Sequence, residues 1–319
     1  MLKSAPSACP NGCQRTGGWE LWSDEPGFKV LRCSSCGLGW TDPVLGDEAI
    51  GEYYPPSWYG KNNARFNPVF EYLVRLFRLR RSRVIRHRSH VGKVLDVGCG
   101  RGLILNELQQ CGYKAYGVEI SEHAAWHAQK KIGPNIHVGD FEGAPFPEDA
   151  FEVVIFWHSL EHFRDPSAAL KKANRLLKKG GLLVVAVPNS DSIQAKLTGR
   201  NWFHLDIPRH YFHFGLKSLE DALKNNNFRV VQADHFSFEQ NPYGWLQSLY
   251  NALGFQFNFL YNWLKTRSSR ATPLQKHPIQ SLAIFILMPF LLPLALVLTV
   301  FEAAVEKGGT IELYAKKTG

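Results

Sequence analysis

From Lys93 onward the chain alternates short apolar runs with stretches in which apolar residues recur every three or four positions. The runs "KVLDVG", "KAYGVEI", "NIHVGD", "FEVVIFW" and "GGLLVVAVP" read as strands. "LILNELQQCG" and "SEHAAWHAQKKIG" read as helices between them, each closed by a glycine. Two later runs, "FRVVQADHF" and "TIELYAKK", also read as strands. Such alternation predicts an α/β fold, a mostly parallel sheet with helices on both faces. The first 45 residues follow another pattern, rich in Cys, Gly and Trp with short strand-like pieces such as "WELW" and "FKVLRC". The chain therefore divides into a small ribbon-like module (1–45), a connector with a basic helix (46–92), an α/β core (93–238), an apolar insertion (239–309) and a last strand (310–319).

Composition adds little to this picture, and the distribution of charge adds more. A hydrophobic fraction of 45% and a charged fraction of 20% over 319 residues are those of a globular protein. The net charge of +9 is uneven, with seven arginines between Arg75 and Arg88. That run suits an anionic surface, lipid or nucleic acid, or else a solvated helix face. The start "MLKSAPSACPNGC" has no apolar core of the kind a signal peptide needs, so a reducing cytosolic setting is expected. There, clustered cysteines suit metal better than disulfides. Cys9-x3-Cys13 and Cys33-x2-Cys36 form two close pairs separated by a hairpin-length segment, the arrangement tetrahedral zinc takes in a ribbon. Gly12 and Gly37 let backbone approach the sulfurs. With four protein ligands such a zinc would be structural, and the ribbon a scaffold or docking surface.

The stretch "KVLDVGCGRG" is a strand, an acid, three alternate glycines and then a helix. A glycine turn of this kind is shared by several nucleotide folds. Here Glu119 ends the next strand, where an acid can accept hydrogen bonds from ribose hydroxyls. Asp140 and Phe141 follow the third strand, placed to contact an adenine by hydrogen bond and stacking. Together with "GDFEGAPFPEDAFEVVIFWHSLEHFRDP", these residues resemble the class I S-adenosylmethionine-dependent methyltransferases over roughly residues 92–238 plus the final strand. The four cysteines, and a lid-like "GRNWFHLDIPRHYFHFGLKSLEDAL", resemble a subgroup with an N-terminal zinc ribbon. The resemblance implies a Rossmann-like seven-stranded sheet with S-adenosylmethionine as cofactor. Asp96, Gly98, Cys99, Gly100 and Gly102 would then hold its methionine and ribose portions, Glu119 the ribose, and Asp140 with Phe141 the adenine.

Methyl transfer to a hydroxyl needs in-line alignment and loss of one proton. His158, Glu161 and His162 follow the fourth strand, and His204, His210 and His213 come from the lid. Histidine is the natural base at neutral pH, with His210 the first candidate, followed by His158 and His162. The spacing of these histidines matches no familiar metal motif. In class I methyltransferases the last two strands pair, so both ends of the insertion lie on one side of any membrane. Ser281–Phe301 is uncharged and bilayer-length, which then implies a dip that turns at Pro289 and Pro293, where the helix should kink or break. "YGWLQSLYNALGFQFNFLYNWL" should lie in the interface, and Lys265, Arg267, Arg270 and Lys276 should face anionic lipid. The expectation is a monotopic methyltransferase at the cytosolic membrane face, acting at oxygen on a lipophilic or lipid-linked acceptor. A non-catalytic adaptor, or a methyltransferase of soluble sugars or nucleic acid, is the alternative. Nucleic acid is the weakest of these partners, because it leaves the apolar insertion without a purpose.

Overall fold

A computed structural model describes residues 9–13, 18–46, 49–50, 52–53, 68–265 and 277–318. The connector at 54–67 and the basic residues Arg267, Arg270 and Lys276 lie outside the described residues. In chain order the N-terminal strands are β1 (Trp19–Glu25), β2 (Phe28–Cys33) and β3 (Gly39–Asp42), followed by helix α1 (Pro68–Arg88). The core begins with β4 (Lys93–Val97), α2 (Leu103–Gln110), β5 (Lys114–Glu119), α3 (Glu122–Ile132) and β6 (Ile136–Val138). It continues with β7 (Phe151–Trp157), α4 (Pro166–Leu176), β8 (Leu177–Pro188), α5 (Ile193–Thr198), the two-residue β9 (Phe212–His213), α6 (Leu216–Asn225) and β10 (Phe228–Asp234). The insertion holds α7 (Asn241–Ala252), α8 (Phe259–Lys265) and α9 (Pro278–Ala304), and β11 (Thr310–Lys317) closes the chain.

The seven core strands form one sheet in the order β10-β11-β8-β7-β4-β5-β6. Pairing is parallel from β8 to β6, while β11 runs antiparallel to both β8 and β10. This is the expected α/β sheet, with the final strand slotted inside it. β7 and β8 are covered on both faces, which is why they read as unbroken apolar runs. Helix starts are locally encoded. Ser121 accepts the Ala124 N–H at 3.3 Å to open α3, and Asp165 accepts the Ala168 N–H at 2.9 Å ahead of Pro166 in α4.

The N-terminal strands make a second, antiparallel sheet ordered β1-β2-β3-β9. Its fourth strand comes from far along the chain, with Gly39 opposite His213 and Trp40 opposite Phe212. Cys33, Cys36, Leu38, Trp40 and Val44 belong to the same buried cluster as Val185 and Ile311 of the main sheet. The ribbon is thus built into the core rather than suspended from it.

Three expectations about the flanking helices need correction. First, α9 is a single helix of 27 residues, with Pro289 and Pro293 inside it. Its buried stripe, Ser281, Ile284, Ala295, Thr299 and Glu302, lies on both sides of the prolines. Docking along the whole length outweighs the local cost of a proline, about 3 kcal/mol. Second, α7 is not an interfacial helix. It is almost wholly buried, with Asn241, Gln247, Ser248 and Asn251 hydrogen-bonded inside the protein, and Trp245, Leu246 and Tyr250 form a core with Phe259, Leu260, Ile284 and Ala295. Third, α1 is not wholly a free basic face: Arg78 and Arg81 are buried, and the half-exposed Arg75 and Arg80 are ion-paired. Arg81 pairs with Glu239 at 2.9 Å, Arg80 lies 3.6 Å from Asp234 and 3.7 Å from Glu312, and Arg75 lies 3.4 Å from Glu107. Arg83 and Arg86 remain exposed.

Candidate active site

The parallel strands end along one edge, and the chemistry-bearing residues gather there, as open α/β sheets dictate. After β4 the backbone turns through Gly98, Gly100 and Gly102, all at positive φ (79°, 53° and 67°). A side chain at Gly98 would bring its Cβ to 2.8 Å from that of Ser159, whereas the space above Gly100 is open. The Gly98 and Cys99 N–H groups both donate to Val118 O, at 2.9 and 3.0 Å, tying the turn to the next strand. Cys99 is buried beneath the turn, its sulfur directed at Gly117, so its side chain supports the loop and faces no ligand.

Two acids frame this turn. Asp96 is buried, its Oδ1 accepts no hydrogen bond, and burial lifts its pKa to about 7 against the opposing pull of Arg81. Glu119 accepts the Gly100 N–H at 2.8 Å and the Ser121 N–H at 2.9 Å, while burial raises its pKa. A buried carboxylate with one bare oxygen, open space over a glycine turn and a second acid one strand away fit a ligand with a cationic end and a ribose. Asp140 follows β6, its carboxylate taking the Gly143 N–H. Phe141 departs from expectation. Its ring is 2% exposed and edge-packed on Phe156 and Phe163, 5.7 and 6.2 Å away, so it has no face on which an adenine could stack.

Beyond β7 lies a nest of imidazoles around a carboxylate. His158 occupies a left-handed backbone conformation (φ 50°), a strained choice that aims it over the sheet edge. Its ring stacks on His204 at 6.5 Å, and burial pushes its pKa down to about 4. Glu161 is 1% exposed, and neither of its carboxylate oxygens accepts a hydrogen bond. His158 Nδ1 lies 3.5 Å away, and burial lifts Glu161 to about 7. His162 and His210 meet edge to face at 4.8 Å. His210 is buried and held well below the usual imidazole pKa, which makes it a weak proton acceptor. His213 instead faces the ribbon: Thr41 Oγ donates to His210 O at 2.7 Å and so accepts from His213 Nε2 at 2.9 Å.

Two groups stand out here that sequence alone did not single out. Glu161 was visible after the fourth strand, but only the structure shows its carboxylate buried with no hydrogen bond to either oxygen. Arg81, one of seven arginines in a basic run, lies 3.1 Å from the centre of the Trp157 ring and close to Asp96. No sequence signal separates it from its neighbours.

In the ribbon, one sulfur from each of Cys9, Cys13, Cys33 and Cys36 lies within 4.8 Å of all the others. Cys9 and Cys36 Sγ are 3.6 Å apart, close to the roughly 3.8 Å between thiolates on one zinc. Hydrogen bonding from Cys9 lowers the Cys36 thiol to about 5 despite its burial. The donor set fits structural zinc.

A sequence profile of methyltransferase domains matches residues 65–233, more than half of the chain. The chain belongs to the methyltransferase-domain family. This methyltransferase is 26% identical over 227 residues to a protein of Pelagibacter ubique named ubiquinone biosynthesis O-methyltransferase, covering 66% of this chain and 93% of that one. It is 30% identical over 150 residues to an uncharacterized methyltransferase of Geobacillus sp., covering 43% of this chain and 70% of that one. Among solved structures, the complex of the Haloferax volcanii Trm112 methyltransferase activator with a putative methyltransferase aligns with a TM-score of 0.51 at 16% identity, over 82% of this chain and 97% of the other. The fold and the family together make this an S-adenosylmethionine-dependent methyltransferase.

Proposed function

We propose that this methyltransferase methylates an oxygen of a lipophilic or lipid-linked acceptor while seated on the cytosolic face of a membrane. The observation that carries this reading is the outer face of α9. Ile279, Leu282, Phe285, Ile286, Phe290, Val297 and Val300 are exposed along one side, Ile279 by 82% and Phe290 by 72%, while the other side is docked on α7 and α8. A helix packed by one side on its own protein can lie in the interface with its free side among acyl chains. That geometry replaces the dip expected from sequence. Exposed Arg83 and Arg86 on α1 favour an anionic leaflet.

Asp96, the glycine turn, Glu119 and Asp140 would hold the cofactor, with Phe141 supporting the pocket from within. S-adenosylmethionine supplies the methyl group: as the acceptor oxygen bonds to the methyl carbon, the carbon–sulfur bond breaks and S-adenosylhomocysteine is left. His158, Glu161, His162 and His210 line the acceptor side, where the hydroxyl proton must go. Burial holds His158 and His210 below the usual imidazole range and makes them weak proton acceptors, so they orient the acceptor and leave proton removal to Glu161. Four similar proteins bear the name ubiquinone biosynthesis O-methyltransferase, which supports methylation at oxygen of a lipophilic acceptor. The test incubates the protein with methyl-labelled S-adenosylmethionine and vesicles made from a bacterial lipid extract. Label should enter the organic phase; label confined to water-soluble products would overturn the membrane acceptor.

A further inference from the structure

Glu161, His162 and His210 come from two separate segments, the turn after β7 and the lid before β9, and each presents a ligating atom within 4.8 Å of the other two. We propose that these three side chains form a second metal centre, distinct from the four-cysteine ribbon, which takes one borderline divalent ion such as zinc or cobalt(II).

Three observations carry it. His162 Nδ1 lies 2.9 Å from Arg209 O, and His210 Nδ1 lies 2.9 Å from His204 O. A carbonyl only accepts, so both Nδ1 atoms carry the proton and both lone pairs sit on Nε2. Backbone carbonyls fix the tautomer and ring orientation of metal-ligating histidines in this way. Glu161 then supplies a buried carboxylate whose two oxygens accept no hydrogen bond and whose neighbour His158 Nδ1 stays 3.5 Å away, a costly arrangement unless a cation binds. Finally, the donor set is two imidazoles and one carboxylate, with Asp206 Oδ2 lying 3.6 Å from His210 Nε2. Three protein ligands leave a coordination position open, the mark of a catalytic ion rather than a structural one. Atoms bound to one ion at about 2.1 Å stand roughly 3.3 Å apart, so the lid bearing His210 must close by on the order of 1 Å.

The ion's role rests on the methyl-transfer reading. An acceptor hydroxyl in the open position would pass its proton more readily to the Glu161 oxygen that does not ligate, because the cation stabilises the oxyanion. The centre itself does not depend on that reading, and its test uses neither cofactor nor acceptor. The full-length protein is stripped with a chelator and titrated with cobalt(II) while its visible and near-ultraviolet absorption is recorded. Two cobalt ions should bind per chain, one with the intense thiolate charge-transfer bands of a cysteine site and one without them. Glu161→Gln and His162→Ala should each weaken the second ion by roughly a hundredfold or more. The thiolate bands must persist in both variants, which also shows that the ribbon and the lid paired to it remain folded. Cys36→Ser should abolish the thiolate bands, which assigns them to the ribbon. Uptake of a single, thiolate-bound ion by the unaltered protein would overturn the centre. So would retention of both ions at full affinity in Glu161→Gln.

Discussion

His213 shows how one side chain ties chemistry to stability. Its ring is buried against Thr41, and burial alone pushes its pKa from 6.5 down to about 3. A histidine depressed in the fold binds fewer protons than it does unfolded. Its contribution is therefore complete above pH 6.5 and is lost as pH falls toward 3. Replacing it should change that dependence in a defined direction. His213→Gln is expected to be less stable than the parent at pH 7.5, where it loses packing and the Thr41 hydrogen bond. Between pH 7.5 and 4.5 it should lose about 2–3 kcal/mol less than the parent does. Urea denaturation at the two pH values measures both terms, and parallel slopes for parent and variant would show that His213 is solvated in the fold. The same buried environment explains why residue-level roles were only partly legible. The acids and glycines of the cofactor turn follow from backbone geometry and could be read from spacing. Phe141 could not, because whether an aromatic faces a ligand or the core depends on neighbours such as Phe163, which arrive from elsewhere in the chain.

Among the elements, strands buried on both faces announced themselves, and so did the last strand, because alternation and glycine punctuation are local signals. β9 did not. Two residues long, it exists only because β3 offers an edge, and nothing near Phe212 predicts that partner. α9 was visible as an apolar run, but its prolines suggested a break that distant packing prevents. Its exposed side remains open to a direct test. Ile286→Glu with Phe290→Glu changes only outward-facing residues, so the fold and its melting temperature should hold. Each large apolar side chain removed from lipid forfeits about 1.5–3 kcal/mol, so the double variant should bind anionic vesicles roughly a hundredfold more weakly or worse. Flotation on a density gradient reads this out. Undiminished flotation would assign membrane contact to another surface.

At the scale of the whole molecule, the ribbon and the catalytic lid are one mechanical unit. Thr41 N–H donates to Tyr211 O at 3.0 Å, Thr41 Oγ holds His210 O, and Arg32 pairs with Asp191 beyond β8. Disruption of the four-cysteine cluster should therefore spread along the sheet to the lid, while the cofactor turn, which is fixed by β5, should be spared. Cys36→Ser is expected to raise amide hydrogen exchange over residues 203–215 as well as 19–42, with little change over 96–102. Exchange confined to the ribbon would mean that the shared sheet transmits nothing. A related feature lies at the other end of the sheet, where the insertion leaves at Asp234 and returns at Thr310, on paired strands. Glu302 fastens that junction, accepting the Trp245 Nε1–H at 2.8 Å and the Gly309 N–H at 3.0 Å. Any drag on α9, from lateral flow of lipid or from curvature, then pulls β10 and β11 lengthwise in the same direction. β11 answers along its ladder to β8, from Thr310 to Lys316, so the load falls as shear on many hydrogen bonds at once instead of peeling them one by one. The sheet would bear a pull on α9 without being unzipped.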